Sequence, residues 1–267
     1  MRRAALLLCL FVAASCGGAE HHAAAPSPTP SPLPTLPPAP IAAYCSIPVN
    51  GVGTLAMETD YLPHVVQCEN GGAGPESLAA QAVAARTYAY YKLETSGSVS
   101  NGTGDQVYSC GGTPNADQIA AVQRTAGQVL VYGGDVIASF FVAGAKPSNH
   151  ASCVAVAGDS DSTNTEKYVT YNDGLSGNAI TQTTLGFVDP QNARNRGCLS
   201  QWGTRCLEGA GHDFTSMMTF YYGADIVRAQ AHGPCVDGTA VAEPPRAFRP
   251  PMPGDSWPAS MRIGKDR

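Results

Sequence analysis

The chain has 267 residues, and its 16 basic and 21 acidic side chains give a formal net charge of −5. This balance excludes a basic nucleic-acid binder, because no run of lysine or arginine is available to neutralise phosphate groups. Prolines cluster near both ends of the chain, at 26–40 and 244–258. The folded part is therefore predicted to span residues 43–236, which is long enough to bury a core of its own.

The N-terminus has the features of an export signal. Arg2 and Arg3 precede the apolar run Ala4–Ala14, which is shorter than the roughly 20 residues of a membrane-spanning helix. Small residues directly before Cys16 resemble a bacterial lipobox, so residues 1–15 are interpreted as a lipoprotein signal peptide and Cys16 as the lipidated residue. The alternative is an ordinary signal peptide that leaves a soluble secreted protein.

Residues 16–42 and 237–267 are rich in proline and are predicted to be a linker and a tail. Alternating proline favours an extended polyproline conformation that cannot form a packed core. A lipid anchor followed by such a spacer would hold a domain away from a membrane surface. We therefore expect an exported protein of the cell envelope, in the periplasm or at the outer membrane if the organism is Gram-negative.

The folded part begins with strands and a turn over Ile47–Met57. A first helix follows, with Thr59 or Asp60 as its cap and Pro63 tolerated in its first turn, and it ends near Glu69. The pattern thus predicts a short helix that begins directly after a strand.

A second helix is predicted from Pro75 to about Glu94, because the segment is rich in alanine and has no internal glycine. A loop over Ser96–Gly104 and a third helix over Asp117–Thr125 follow.

The next segments predict a hairpin. Val129–Tyr132 and Val136–Phe141 are apolar and flank Gly133-Gly134, which is typical of a tight turn. Residues 147–177 are polar and predicted to be loop, and His212–Tyr222 is predicted to be the last helix. Helices mixed with a hairpin and separate strands indicate an α+β domain.

Seven cysteines lie in the folded part, and with an export signal most are predicted to form disulfides. Seven cysteines allow three bridges and one free thiol. The pairing stays open, with Cys198–Cys206, which closes a short loop, and Cys45–Cys235, which ties the two ends of the domain, as guesses. The seven are Cys45, Cys68, Cys110, Cys153, Cys198, Cys206 and Cys235.

Glu69 is the candidate catalytic residue. Leu62, Val65, Val66 and Glu69 fall at i, i+3, i+4 and i+7, which places a carboxyl on the apolar stripe of the first helix. Burial and the negative end of the helix dipole both raise the pKa of such a carboxyl, and a carboxyl protonated near neutral pH suits a general acid for glycoside cleavage. The alternative is that Glu69 is solvated or paired with Arg86.

Two other pairs of residues have weaker chemical interpretations. His64 and Cys68 lie one helical turn apart and could form a thiol nucleophile and its base, although a disulfide at Cys68 is the preferred interpretation. His150 and Cys153 form a lone HxxC motif, which is weak evidence for zinc. No metal and no cofactor is therefore expected.

Five stretches of the chain carry a resemblance to a known family. They are Glu58–Glu69, Pro75–Ala89, Ala120–Leu130, Leu199–Gly203 and Phe220–Gly223. They resemble the SpoIID/LytB family (stage II sporulation protein D and the amidase enhancer LytB), whose pattern is approximately E-x-Y-L-x-x-V-V-x-x-E, L-K-A-Q-A-V-A-A-R-T-Y-A, A-V-x-x-T-x-G-x-V-L, M-S-Q-W-G and Y-Y-x-G. The resemblance implies a single α+β domain, with several helices packed on a mixed or antiparallel sheet and disulfides supporting it.

The resemblance also implies a function, that of a peptidoglycan lytic transglycosylase acting on glycan strands stripped of their stem peptides. The glutamate that ends V-V-x-x-E falls on Glu69, the residue that the apolar stripe also selects. The implied partners are peptidoglycan glycan strands, the membrane through the anchor at Cys16, and a cell-wall amidase.

Substrate contacts are proposed for six further residues, four of them with a structural alternative. Arg86 and Gln81 on the alanine-rich helix either contact glycan or form an internal salt bridge or hydrogen bond. Trp202 either stacks on a sugar ring or packs in the core. The six residues are Tyr61, Gln81, Arg86, Ser200, Gln201 and Trp202.

The chain departs from the family pattern at Arg194–Cys198, where the family has glycine and histidine, and this predicts an altered groove on that side. Ala79 replaces the usual lysine, and the region around Cys153 lacks paired glycines. The altered segment favours one alternative, a non-catalytic glycan-binding or amidase-stimulating envelope protein. A thiol enzyme that uses Cys68 and His64 is a further alternative, and it requires Cys68 to be the unpaired cysteine.

Overall fold

The computed structural model of the protein describes residues 40–185 and 192–238. The predicted signal peptide, the lipidation site Cys16, most of the linker and residues 239–267 of the predicted tail lie outside the described residues. Among the residues that the structure describes, none of the helices combines the length and the apolar character that crossing a membrane requires.

Five α-helices and nine short strands form the described part, which confirms the α+β class. The helices are α1 (Leu62–Asn70), α2 (Pro75–Ser96), α3 (Ala116–Arg124), α4 (Gln201–Gly209) and α5 (Phe214–Tyr222). The strands are β1 (Ile41–Ala42), β2 (Ser46–Asn50), β3 (Gly53–Ala56), β4 (Val99–Ser100), β5 (Gln128–Tyr132), β6 (Asp135–Val136), β7 (Phe140–Val142), β8 (Cys198–Ser200) and β9 (Val227–His232).

The strands form three small sheets of mixed direction. Their orders are β1-β9-β5-β6, β3-β2-β4 and β7-β8. In the predicted hairpin, β5 and β6 pair antiparallel with Val131 opposite Val136, and Gly133 and Gly134 both have positive φ, as a tight two-residue turn requires. The second arm is shorter than predicted, because the chain leaves the hairpin and β7 pairs in parallel with β8.

Helix α2 is the centre of the fold. Its residues from Ser77 to Lys92 are buried, and α1, α3, α4, α5 and β5 all pack against it. Short alanine side chains allow this close approach on every side. One core cluster contains Leu78, Ala82 and Ala85 of α2, and a second contains Val83 and its alanine neighbours on another face of the helix.

Three predictions about local structure were wrong or incomplete. Neither Thr59 nor Asp60 caps the first helix, because a π-helical turn over Met57–Tyr61 already leads into α1. Helix α4 and strand β9 were not predicted. Helix α4 was missed because it contains Gly203, and glycine disfavours a helix. Glycine is required at this position because a Cβ there would collide with the Tyr221 hydroxyl of α5.

The structure pairs six of the seven cysteines. Cys45–Cys235 ties the two ends of the domain as predicted, and the other disulfides are Cys68–Cys110 and Cys153–Cys206. The guess Cys198–Cys206 was wrong. Cys198 is the free, buried thiol, because its side chain belongs to the first core cluster while Cys206 is bonded to Cys153.

Candidate active site

Glu69 lies in the last turn of α1 and lines a cavity of about 600 Å³. Its Oε1 accepts a hydrogen bond of 2.8 Å from the backbone N–H of Val107, and its Oε2 accepts one of 3.2 Å from the amide of Gln201. The carboxyl is therefore fixed from two sides by segments that are distant in the chain.

Burial raises the pKa of the Glu69 carboxyl above its ordinary value, and the hydrogen bonds from Val107 and Gln201 oppose this shift. The desolvation of the charged form is the largest of the three effects. A carboxyl of this kind holds its proton at a higher pH than an exposed glutamate, which is the property that a general acid needs. The predicted alternative that Glu69 pairs with Arg86 was wrong, because Arg86 pairs with Glu58.

A covalent bond holds the segment that supplies one of these donors. Cys68 precedes Glu69 and is bonded to Cys110, three residues after Val107. Gln106 is fixed as well, since its Oε1 accepts a hydrogen bond of 2.6 Å from Tyr61 and its amide donates to the carbonyl of Ala85 in α2. The disulfide also contradicts the thiol-enzyme alternative, because Cys68 has no free thiol.

The cavity that Glu69 lines has both apolar and hydroxyl-bearing side chains in its wall. Its volume is in the range of small-ligand sites. Tyr88 of α2 packs against Phe140 and Phe141 with ring centroids 5.8 and 6.5 Å apart. Further lining residues are Thr103, Gly104, Asp105, Val107, Val142, Ala143, Thr163, Thr165, Leu185 and Gln201.

Asp105 supplies a second carboxylate to the cavity wall, but its oxygens are already engaged. Oδ1 accepts a hydrogen bond of 2.7 Å from the Tyr88 hydroxyl and lies 3.1 Å from the Nζ of Lys92. Oδ2 accepts one of 2.7 Å from the backbone N–H of Ser100. Asp105 thus stabilises the cavity wall, and the sequence had no signal for it because it lies in a loop without periodicity.

Of the six predicted contact residues, Gln201 lines the cavity, and Trp202 is bonded through its backbone to a residue of the cavity wall. Gln201 is the first residue of α4 and reaches Glu69. Trp202 is partly exposed, and its backbone N–H donates to the carbonyl of Ala143 in the cavity wall. Ser200 precedes them but is buried, with its hydroxyl accepting from the N–H of Gly203 as the cap of α4.

The other three predicted contacts are internal. Arg86 is 0% exposed and donates to both carboxylate oxygens of Glu58, at 2.7 and 2.6 Å. Tyr61 and Gln81 are also fully buried. These buried side chains cannot contact a glycan strand. Arg86 forms an internal salt bridge, which was the structural alternative for this residue. The sequence could not separate the two, because α2 is buried around its whole circumference.

The segment that departs from the family pattern, Arg194–Cys198, is held by its own ion pairs. Arg194 forms an ion pair with Glu94. Arg196 forms one with Asp225 and stacks on Tyr132. Among the described residues that line the cavity, none belongs to this segment, although Cys198 pairs with Phe140 of the cavity wall, and the altered groove stays a prediction.

Comparison with known proteins finds similarity over part of the chain. The family model of SpoIID, described as "Stage II sporulation protein", matches residues 49–132, which include Glu69 and Val107. An uncharacterized protein of Brachyspira hyodysenteriae is 41% identical over 90 residues, which are 32% of this chain and 24% of that protein. The resemblance is thus confirmed over the first three of the five similar stretches. Residues 49–132 are thus similar to the SpoIID family, which is associated with a cell-wall-related function.

Proposed function

We propose that the protein is a lytic transglycosylase that cleaves the bond between N-acetylmuramic acid and N-acetylglucosamine in peptidoglycan glycan strands. The observation that carries the proposal is the Glu69 carboxyl, which is partly buried in a cavity wall and held by two donors. The similarity to the SpoIID family supports a cell-wall substrate.

The reaction needs one carboxyl in two roles. Glu69 first donates its proton to the glycosidic oxygen, and the bond from C1 of N-acetylmuramic acid to that oxygen breaks. The C6 hydroxyl of the same sugar then attacks C1, and Glu69 accepts the hydroxyl proton. The products are a 1,6-anhydro end and a free 4-hydroxyl on N-acetylglucosamine. Because the nucleophile belongs to the substrate, the second step is intramolecular.

The state of Asp105 favours this reaction over hydrolysis. A glycoside hydrolase needs a second carboxylate to activate water or to attack the sugar. Asp105 is the other acidic residue of the cavity wall in the described part of the chain, and Tyr88, Lys92 and Ser100 occupy its oxygens. It is therefore poorly placed to serve as a base or a nucleophile.

The N-terminal sequence supports a location for this activity. The export signal and Cys16 favour a lipid-anchored protein of the cell envelope, with the proline-rich linker as a spacer. An enzyme that prefers peptide-free strands depends on a cell-wall amidase to remove the stem peptides. We include such an amidase in the proposal as a functional partner.

The test is product analysis with three variants of the disulfide-intact protein. The parent, Glu69→Gln, Asp105→Asn and Glu94→Gln, an exposed carboxylate outside the cavity, are incubated with peptide-free glycan strands, and products are identified by mass spectrometry. We expect anhydro ends from the parent and Glu94→Gln, and a loss of about 10²–10⁴-fold in Glu69→Gln. Asp105→Asn should still give anhydro ends.

Other products would contradict the proposal. Reducing ends that depend on Asp105 would indicate a hydrolase. Retention of the parent on glycan without cleavage would favour the binding or amidase-stimulating alternative.

A further inference from the structure

Two cations lie over the ring of Trp202. The Nζ of Lys146 is 5.5 Å from the ring centroid, and the guanidinium carbon of Arg205 is 4.6 Å from it. Both distances are within the range of cation–π attraction. The three side chains therefore form a surface that carries two positive charges, in a protein whose net charge is −5.

This surface is attached to the candidate active site at three points. Trp202 follows Gln201, whose amide binds Glu69, and its backbone N–H donates to Ala143 of the cavity wall at 3.0 Å. The Nε of Arg205 donates at 2.9 Å to the side chain of Asn70, the residue after Glu69. The positions of ring and guanidinium are thus fixed relative to the Glu69 carboxyl.

The two cations keep their charge available for a ligand. Neither Lys146 nor Arg205 takes part in the ion pairs that join side chains of the described residues. Glu208 attracts Arg205, but its oxygens accept hydrogen bonds from the first backbone N–H groups of α2, at 3.2 and 3.3 Å. Lys146 is exposed to solvent.

The same arrangement changes the sequence-based expectation for Trp202. A sugar ring that stacks on the indole has to compete with the cations that lie over it. A carboxylate can instead bind the cations where they are, through charge-assisted hydrogen bonds. The geometry thus favours recognition of a charged substituent over recognition of an apolar sugar face.

We propose that Lys146, Trp202 and Arg205 form a subsite for a carboxylate-bearing sugar at the rim of the Glu69 cavity. The inference rests on the proposed function for the identity of that sugar. N-acetylmuramic acid has a lactyl group whose carboxyl is free in a peptide-free strand and is an amide where a stem peptide is attached. The subsite therefore provides a physical basis for preferring strands without peptides.

The test measures binding in the Glu69→Gln background, so that cleavage does not consume the probe. The probes are a peptide-free tetrasaccharide, the same tetrasaccharide with its carboxyls converted to methylamides, and a peptide-bearing tetrasaccharide whose free carboxylates lie on the peptide. The added variants are Lys146→Gln, Arg205→Gln, Arg205→Lys and the control Arg228→Gln. Arg228 also lies over an aromatic ring, that of Phe214 at 5.1 Å, and its loss changes the net charge equally.

We expect Lys146→Gln and Arg205→Gln each to weaken binding of the peptide-free probe by roughly two- to tenfold at low salt. Arg205→Lys and Arg228→Gln should bind close to the reference, and all proteins should bind the methylamide probe equally. Lys146 is exposed, so its substitution tests the subsite even if Arg205→Gln is poorly folded.

Three results would overturn the inference. They are unchanged binding in Lys146→Gln, equal weakening toward the methylamide probe, and a loss confined to the peptide-bearing probe, which would assign the cations to peptide carboxylates. Failure of the proposed function is separately visible, because it appears as cleavage by Glu69→Gln or as the absence of cleavage by the parent.

Discussion

The amide of Gln201 donates a hydrogen bond of 3.2 Å to the Glu69 carboxylate across 132 residues of sequence. The bond joins the end of α1 to the start of α4. Since it favours the ionised carboxyl, it lowers the pKa of Glu69 against the larger effect of burial. Gln201 therefore adjusts the pH range over which Glu69 is protonated.

Gln201→Leu should extend activity to higher pH. Removal of the donor leaves burial less opposed, so the pKa of Glu69 rises further and the general acid keeps its proton at higher pH. The measurement is the pH profile of kcat/KM for glycan cleavage, with Glu94→Gln, an exposed residue outside the cavity, as a control. A profile whose alkaline limb stays in place or moves to lower pH would contradict the role of Gln201.

Glu69→Gln should be more stable than the parent at neutral pH, although we expect it to lose most of its activity. The pKa of Glu69 is higher in the folded protein than in the unfolded chain, so the folded state binds its proton more tightly. The free energy of unfolding of the parent therefore falls as the pH rises through the range in which Glu69 loses its proton. The variant has no proton to lose at this position, so its stability does not fall in this way. Urea unfolding at pH 7 and at pH 3.5 checks this, since the difference should shrink at the lower pH.

The disulfide Cys45–Cys235 should contribute more to stability, and Cys68–Cys110 should contribute more to activity. Double serine substitution of either pair should destabilise the protein by roughly 2–5 kcal/mol, with the larger loss for Cys45–Cys235 because it closes the longer loop. Activity should show the opposite order, since Cys68–Cys110 holds the segment that contacts Glu69. Urea midpoints and cleavage rates measured well below the unfolding transition separate the two effects, and equal activity losses would refute the distinction.

Arg86→Met should destabilise the fold by about 3–5 kcal/mol, because it leaves the buried carboxylate of Glu58 without its partner. The double variant Glu58→Gln/Arg86→Met should recover part of this loss. Arg124→Gln, which breaks the half-exposed pair with Glu76, should cost no more than about 1 kcal/mol. The check is urea unfolding of all three variants, and a glycan-binding role for Arg86 would instead appear as weakened binding with unchanged stability.

The sequence predicted those elements that are specified by the conformational preferences of their own residues. The alanine run of α2 and the glycine turn of the β5–β6 hairpin are local signals, and both elements formed where they were expected. Helix α4 was missed, because Gly203 opposes a helix locally and is explained only by the approach of Tyr221 from α5.

The site divides in the same way. Glu69 could be picked out from the sequence, because it shares an apolar stripe with Leu62, Val65 and Val66 on one helix. Its donors Val107 and Gln201 come from other segments, and a backbone N–H has no sequence signature at all. The environments of Arg86 and Trp202 could not be predicted from the sequence either. Tertiary packing alone encloses Arg86 and places two cations over the ring of Trp202.

The disulfide between Cys45 and Cys235 has a mechanical consequence. It spans 190 residues and encloses all five described helices and the whole candidate site. Tension applied to the chain outside these two cysteines passes through the sulfur–sulfur bond and bypasses the enclosed strands and helices. A pull between the N-terminal and the C-terminal flank of the domain would thus leave the geometry around Glu69 unchanged.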